Sequence, residues 1–191
     1  VYAYCCSPKF EILLFGYAFD DDPVKIIDLT EETLPAEIMQ AMFSPDILKT
    51  AFNANFEITC ISKYIEKELL TEQWQCTSVL ALNHGLPNSL DKVAKALDLS
   101  ISKSSKGTLL INYFSKPCTP NNANGGRIRN LPAHNPERWE MFKEYCAQDV
   151  EVEREIHNKL YKVLPLERQE QLLWLLDQRI NNEGILVDTE M

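Results

Sequence analysis

Two short apolar runs near the start of the chain are separated by a strongly polar turn. Residues 10–19 are rich in Ile, Leu, Phe and Tyr, residues 24–29 form the second run, and Asp20-Asp21-Asp22-Pro23 lies between them. Apolar runs of this length bounded by turn formers predict a β-hairpin. The three aspartates could be considered as metal ligands, but a solvated acidic turn between two strands is the commoner meaning, and we interpret them as turn residues.

Beyond the hairpin, segments with helical spacing alternate with short extended segments. The spacing predicts helices over 35–43 and 56–67, with a short buried strand at 48–52 between them. Residues 74–82 begin extended and then turn helical, and a further helix follows over 89–97. Such alternation of strands and helices indicates an α/β fold built in layers.

The best-marked helix begins at Pro136. Asn135 can cap it and Pro136 suits its first position. An apolar stripe with a period of 3.6 residues then continues to Leu160. The members of the stripe are Trp139, Phe142, Tyr145, Cys146, Val152, Ile156 and Leu160. Asp149 falls in the same row and is the one carboxylate in it.

A carboxylate on an apolar helix face needs a partner. Burying its charge is costly unless a cation, a metal ion or hydrogen-bond donors receive it. For Asp149, a buried Arg or the end of a neighbouring helix would serve as well as a metal ion. Tyr145 lies one helical turn earlier on the same face, so its phenol and the carboxylate can address one small ligand.

A second polar cluster follows the predicted strand at 48–52. Asn53-Ala54-Asn55-Phe56-Glu57 opens a helix at a strand end, where polar residues often form a site. Asn53 can simply cap this helix, and Glu57 can be a first-turn acid that favours the helix dipole. In the functional alternative, Glu57 pairs with Asp149 around a metal ion. The segment by itself leaves both interpretations open.

Turn formers and basic residues gather between 103 and 135, where we predict a loop inserted between helices. Its basic residues are Lys103, Lys106, Lys116, Arg127 and Arg129. The loop is either solvated or a phosphate-contacting arm in which Arg127 and Arg129 touch nucleic acid. Further on, we predict a helix over 165–179 and a strand-like segment at 185–187.

The composition is that of a soluble globular protein. The chain has 191 residues, of which 45% are hydrophobic and 25% charged, which excludes a mostly disordered chain. It contains no run of 18 apolar residues and does not begin like a signal peptide, so we expect a cytoplasmic protein without a membrane partner. Six cysteines without a Cys-x-x-Cys pair indicate reduced, packed thiols rather than a zinc module or a disulfide framework.

The formal net charge of −9 argues against a general electrostatic grip on nucleic acid. It does not exclude an enzyme of phosphate chemistry. Carboxylates that hold divalent cations make a site acidic, and the cations then meet the phosphate.

Four stretches of the chain resemble parts of a known family, and two of them resemble its motifs in order and separation. Residues 145–149 have the form Tyr-x-x-x-Asp, and residues 52–57 read Phe-Asn-Ala-Asn-Phe-Glu. The segment 124–139 and the passage 176–188 complete the set. Together they resemble the proofreading 3'-5' exonuclease domain of family A DNA polymerases of the bacteriophage type, whose fold is DnaQ-like and ribonuclease H-like.

The resemblance implies a mixed sheet flanked by helices and a two-metal hydrolysis of the 3'-terminal phosphodiester. Two Mg²⁺ or Mn²⁺ ions, about 4 Å apart, would activate water and stabilise the leaving oxygen. Asp149 would bind the ion that activates water, Glu57 would support the second ion, and Tyr145 would orient the water. Asn53 and Phe56 would shape the pocket for the terminal nucleotide of a single-stranded DNA 3' end or primer-template.

The resemblance also implies a division of the chain. Residues 1–163 would form the exonuclease-like domain, and residues 164–191 would be a helix and strand that lead into a polymerase domain of the same parent chain. The source would be a phage or prophage in a bacterial host.

Two departures from the family pattern change the expectation. The first motif, Asp-x-Glu on the first strand, should precede the hairpin, yet the chain begins at Val1. We therefore expect a fold that lacks its first strand, an inactive fragment, and self-association through the exposed sheet edge. Asp188-Thr189-Glu190 has the letters of this motif at the wrong end of the chain. Glu57 stands where Asp is usual.

Two other functions stay open. One is a non-catalytic scaffold or interaction domain of a polymerase with an exonuclease fold. Glu57 and the missing motif favour it, and the retained Tyr145 and Asp149 disfavour it. The other is a stand-alone RNA-trimming exonuclease, which shares the Tyr-x-x-x-Asp chemistry. The passage at 181–188 argues against the second, because it resembles the lead-in to a polymerase domain.

Overall fold

The chain folds into two compact units in a computed structural model that describes residues 1–99 and 107–188. The first, which we call the parallel unit, comprises Val1–Ile12, Leu34–Leu97 and Glu153–Met191. The second, the hairpin unit, comprises Leu13–Thr33 and Asp98–Val152.

Short strands and mostly short helices make up the described residues. The strands are β1 (Leu14–Tyr17), β2 (Lys25–Asp28), β3 (Lys49–Ala51) and β4 (Trp74–Cys76). The helices are α1 (Tyr2–Cys5), α2 (Ala36–Phe43), α3 (Ala54–Tyr64), α4 (Thr77–Asn83), α5 (Leu90–Ala96), α6 (Gly107–Ser115), α7 (Pro136–Val163) and α8 (Arg168–Glu183). Single 3₁₀ turns lie at Thr71–Gln73, Asn122–Asn124 and Pro132–His134.

The predicted hairpin is confirmed in the hairpin unit, with shorter strands than the apolar runs suggested. β1 and β2 pair antiparallel, with Leu14 opposite Asp28. The acidic segment is the turn, since the Asp22 N–H donates to the Phe19 carbonyl at 2.8 Å. Asp20 adopts a φ of 42°, a left-handed conformation that Asp tolerates better than most residues.

The core of the hairpin unit is aromatic. The Phe114 ring of α6 meets Trp139 edge-on at 4.8 Å and stacks on Phe142 at 5.6 Å. Trp139 Nε1 donates to Asp28 Oδ2 at 2.6 Å, which links α7 to the end of β2. Burial alone would raise the pKa of Asp28, but hydrogen bonds from Thr30 and Trp139 hold it below its ordinary value.

Helix α6 corrects the prediction of a loop over 103–135. The apolar residues Leu110 and Phe114 are buried on one face of α6, whose stabilisation comes from the aromatic core. The Pro and Gly residues that favour a loop lie after the end of α6 at Ser115. Lys103 and Lys106 lie outside the described residues.

Helix α7 begins where its sequence predicts. Asn135 Oδ1 accepts the Arg138 N–H at 3.0 Å and so caps the helix. The stripe is confirmed, because Trp139, Phe142, Tyr145, Val152, Ile156 and Leu160 are all buried. Residues of α7 up to Val152 belong to the hairpin unit, and those from Glu153 onward belong to the parallel unit.

The parallel unit is built around a strand–helix–strand connection. β3 and β4 pair in parallel, with Lys49 opposite Trp74 and Ala51 opposite Cys76, and α3 lies between them in the chain. A parallel pair requires such a crossover. The α/β class is therefore confirmed, with one antiparallel pair of strands and one parallel pair among the described residues.

The end of the described chain differs from its prediction. α8 begins at Arg168 rather than 165 and continues to Glu183, where Gly184 with a φ of 72° ends it. Within the described residues, the apolar segment 185–187 forms no strand and is largely exposed, so the strand predicted there is wrong. An apolar triplet favours a strand only where a partner strand is available. Thr189 and Glu190 are not among the described residues.

The six cysteines are all free thiols; Cys5, Cys60 and Cys76 are buried, as expected of packed thiols, whereas Cys6 is exposed. Across residues 1–99 and 107–188, no helix is long and apolar enough to cross a membrane.

Candidate functional site

The carboxyl ends of β3 and β4 lie side by side in the parallel unit. Ala51 and Cys76 are the last paired residues, and the Ser78 N–H donates to the Phe52 carbonyl at 2.9 Å just beyond them. The segments that leave the two strands are thus tied together. Helix α3 starts from one of them and helix α4 from the other, so their first residues face a common edge.

Glu57 lies in the first turn of α3, as predicted, and is partly buried. Its Oε2 has no hydrogen-bond partner among the described residues. Burial raises the pKa of Glu57 to about 7; its own backbone N–H opposes this rise, and the negative charge of Glu153 adds to it. A buried carboxylate oxygen without a donor is a place where a proton or a cation is expected.

Glu153 is the second carboxylate of this cluster, and sequence reasoning did not identify it. The Thr77 hydroxyl, fully buried at the start of α4, donates to Glu153 Oε1 at 2.5 Å. Burial raises the pKa of Glu153 even though hydrogen bonds from Thr77 and Thr50 act against the shift. Glu153 lies four residues after Asp149, one helical turn further along α7, and this spacing was the signal that could have identified it. Val152 was assigned to the stripe instead, because it continues the apolar pattern.

Asn53 and Phe56 lie at the surface at the start of α3, the helix that carries Glu57. Asn53 occupies the predicted N-cap position of α3, and its carbonyl accepts the Phe56 N–H at 2.8 Å. The Asn53 side chain is exposed and does not make the capping bond, which corrects the simple capping interpretation. Phe56 is also exposed, so both side chains are accessible to a ligand.

Tyr145 and Asp149 lie one turn apart on α7 within the hairpin unit. Tyr145 is buried in the aromatic core and packs directly against Gly107 of α6. A Cβ added to Gly107 would lie 2.1 Å from Tyr145 Cε2, so only glycine leaves room for the ring. The position of the phenol is therefore set by α6.

Asp149 is partly buried, with its Oδ1 inaccessible to solvent. Burial raises the pKa of the neighbouring Cys146 thiol to about 11, and the negative charge of Asp149 adds to this shift. Asp149 belongs to the hairpin unit and Glu57 to the parallel unit, so their pairing around a metal ion stays a prediction.

Arg127 has a structural role within its own loop. Its Nε donates to Asn130 Oδ1 at 2.9 Å and its Nη1 to the Asn124 carbonyl at 3.2 Å. Asn130 is buried and donates in turn to the Tyr113 carbonyl at 2.9 Å, which fastens the loop to α6. Contact of Arg127 or Arg129 with nucleic acid stays a prediction.

The oxygen atoms of the carboxylate pair and of Thr77 in the parallel unit are the type of ligand that a hard divalent cation prefers. Glu57, Glu153 and the Thr77 hydroxyl offer oxygen, which Mg²⁺ and Mn²⁺ prefer, and the unpartnered Glu57 Oε2 is available to such an ion. Within residues 1–99 and 107–188, no group of three or more His, Cys, Asp or Glu side chains is arranged to hold a metal ion. The metal cofactor therefore stays a prediction.

Comparison with known proteins identifies a relative that is much longer than this chain. The chain is 58% identical over 192 residues to a DNA polymerase of Bacillus phage SP02. The match takes in the whole chain and 30% of the length of that polymerase. No family model matches the chain, and no solved structure matches it.

Proposed function

We propose that the chain is part of a phage-encoded DNA polymerase and forms its 3'-5' exonuclease domain, with a ribonuclease H-like fold. The observation that carries the proposal is the match of the whole chain to part of a DNA polymerase. The likeness of residues 145–149 and 52–57 to exonuclease motifs supports the finer assignment. The substrate is then the 3' end of DNA, and the working environment is the cytoplasm of a bacterial host.

The side chains divide into three tasks. Asp149 and Glu57 would each supply carboxylate oxygen to Mg²⁺ or Mn²⁺, and the chemistry that such an ion would supply is activation of water and stabilisation of charge on the phosphate. The Tyr145 hydroxyl orients the attacking water, and the contact of its ring with Gly107 keeps it in place. The exposed Asn53 and Phe56 bind the terminal nucleotide beside Glu57.

Digestion of a 5'-labelled DNA strand in Mn²⁺ tests this function. The full-length gene product and the 191-residue chain are each assayed, together with full-length Asp149→Ala and Tyr145→Phe variants. We expect the full-length protein to produce a ladder that shortens from the 3' end, Tyr145→Phe to slow it, and Asp149→Ala to abolish it. A parallel RNA strand tests the RNA-trimming alternative, which predicts faster digestion of RNA than of DNA.

A non-catalytic scaffold within a polymerase is the second candidate. The observation in its favour is that the described residues contain no group of three potential ligand side chains arranged around a metal position. A full-length protein that extends primers but digests neither strand would replace the exonuclease assignment with the scaffold.

A further inference from the structure

Two aromatic rings from distant parts of the chain stack at the surface of the parallel unit. The rings of Tyr4 and Phe56 have centroids 6.1 Å apart and planes inclined by 26°. Tyr4 is 50% exposed and Phe56 is 42% exposed. Phe10 supports Tyr4 from the side, edge-on at 5.5 Å. An exposed stacked pair of this kind presents aromatic surface to a flat ligand.

The Tyr4 ring is anchored through its surroundings. Burial raises the pKa of its hydroxyl, and the neighbouring Cys60 and Cys5 thiols add to the shift, while half of the residue stays exposed. Cys5 of α1 and Cys60 of α3 are buried with their sulfurs 3.5 Å apart, so the two helices are in contact at this point. A ring ordered in advance loses little conformational entropy when a ligand stacks on it.

The position of the rings indicates the class of ligand. Phe56 immediately precedes Glu57, whose buried Oε2 has no hydrogen-bond partner, so the aromatic surface and this carboxylate belong to the same first turn of α3. A chain with a net charge of −9 gains little from phosphate contacts. Stacking of bases on aromatic side chains is the other main source of affinity for single strands, and it does not require positive charge.

We propose that Tyr4 and Phe56 together form a stacking platform for bases of single-stranded DNA. Tyr4 is a nucleobase-binding residue outside all four stretches on which the family resemblance rests. This inference rests on the proposed function and extends it, since it adds a residue and a mode of recognition. Tyr4 touches the base and holds the strand beside Glu57.

Binding of a short fluorescent oligothymidine, protected by a phosphorothioate at its 3' linkage, tests the platform. Anisotropy is measured in Mg²⁺ over a range of salt concentrations for the wild-type chain and for Tyr4→Ala and Tyr4→Phe. Tyr161→Ala is the matched control, because Tyr161 is 43% exposed and also stacks on an aromatic ring, that of His157 at 5.4 Å. Circular dichroism checks that each variant is folded.

We expect Tyr4→Ala to weaken binding roughly 5- to 150-fold, the range for loss of one base-stacking contact. Tyr4→Phe keeps the ring and should bind as the wild type does, as should Tyr161→Ala. The slope of log Kd against log salt should not change, because no phosphate contact is lost. On a strand of abasic residues, Tyr4→Ala and the wild type should bind equally.

The outcomes separate this inference from the proposed function. Tight binding by both the wild type and Tyr4→Ala would overturn the platform and leave the exonuclease proposal standing. Equal losses in Tyr4→Ala and Tyr161→Ala would also overturn it. A wild-type chain that does not bind single strands would overturn the platform together with the DNA-binding part of the proposed function.

Discussion

The close contact between Gly107 and the Tyr145 ring leads to a testable prediction about packing. In Gly107→Ala, the new Cβ would lie 2.1, 2.4 and 2.7 Å from three carbons of the Tyr145 ring. Non-bonded carbons normally approach to about 3.5–4.0 Å, so the ring or α6 must move by more than about 1 Å. Tyr145 is buried among aromatic neighbours, and the ring has little room to move.

The size of the effect follows from two opposing terms. Overpacking a core by one methyl group costs about 1–3 kcal/mol, and the severity of this overlap places it near the upper end. Replacing a helical glycine by alanine returns about 1 kcal/mol at most, and less at the first residue of α6. We therefore expect Gly107→Ala to lower the free energy of unfolding by about 2 kcal/mol.

Urea unfolding followed by circular dichroism measures this loss in three backgrounds. In Tyr145→Phe the ring remains, so Gly107→Ala should cost as much as in the wild type. In Tyr145→Ala the ring is absent, and Gly107→Ala should become neutral or slightly stabilising. An equal loss in the Tyr145→Ala background would refute the steric explanation. In the full-length protein, Gly107→Ala should also slow exonuclease digestion if Tyr145 orients the water.

Three further predictions concern buried carboxylates. Asp28→Asn should lower the free energy of unfolding by about 1.5–3 kcal/mol at pH 7, the range for hydrogen bonds to a charged group. On acidification below the ordinary Asp pKa of 3.8 the variant should lose less stability than the wild type, because the lowered pKa of Asp28 stabilises the fold only while the group is ionised. Chemical unfolding across pH checks both effects. Thr77→Val should lower the free energy of unfolding by about 1.5–3 kcal/mol, because it removes the donor to Glu153, whereas Thr77→Ser should keep most of the stability. Equal losses in the two variants would indicate that packing of the Thr77 methyl group, and not its hydrogen bond, is responsible. Without divalent cations, the free energy of unfolding should fall as pH rises from 4.5 to about 7, because the raised pKa of Glu57 makes its ionisation oppose folding. Glu57→Gln should flatten that fall. A pH profile that is unchanged in the variant would contradict the raised pKa of Glu57.

The elements recovered from the sequence are those whose signals are local. The β1–β2 hairpin follows from two apolar runs around an acidic turn, and α7 follows from its Asn135 cap and its stripe of buried residues. Helix propensity, capping and turn chemistry act within a few residues, so the sequence carries them directly. The same holds for Glu57, which lies in the first turn of α3 as predicted.

Tertiary packing decided the rest. α6 is stabilised by the packing of its apolar face in the aromatic core, and its sequence has no strong start and stop signals. The apolar segment 185–187 forms no strand, because no partner strand pairs with it among the described residues.

Two contacts show most clearly which features of the molecule cannot be predicted from the sequence. Glu153 joins the candidate site through a hydroxyl 76 residues away in the chain, and Tyr4 reaches Phe56 across 52 positions. No local period or cap encodes such pairs. They depend on which helix faces pack together, and that is set by the burial of apolar surface in the whole unit.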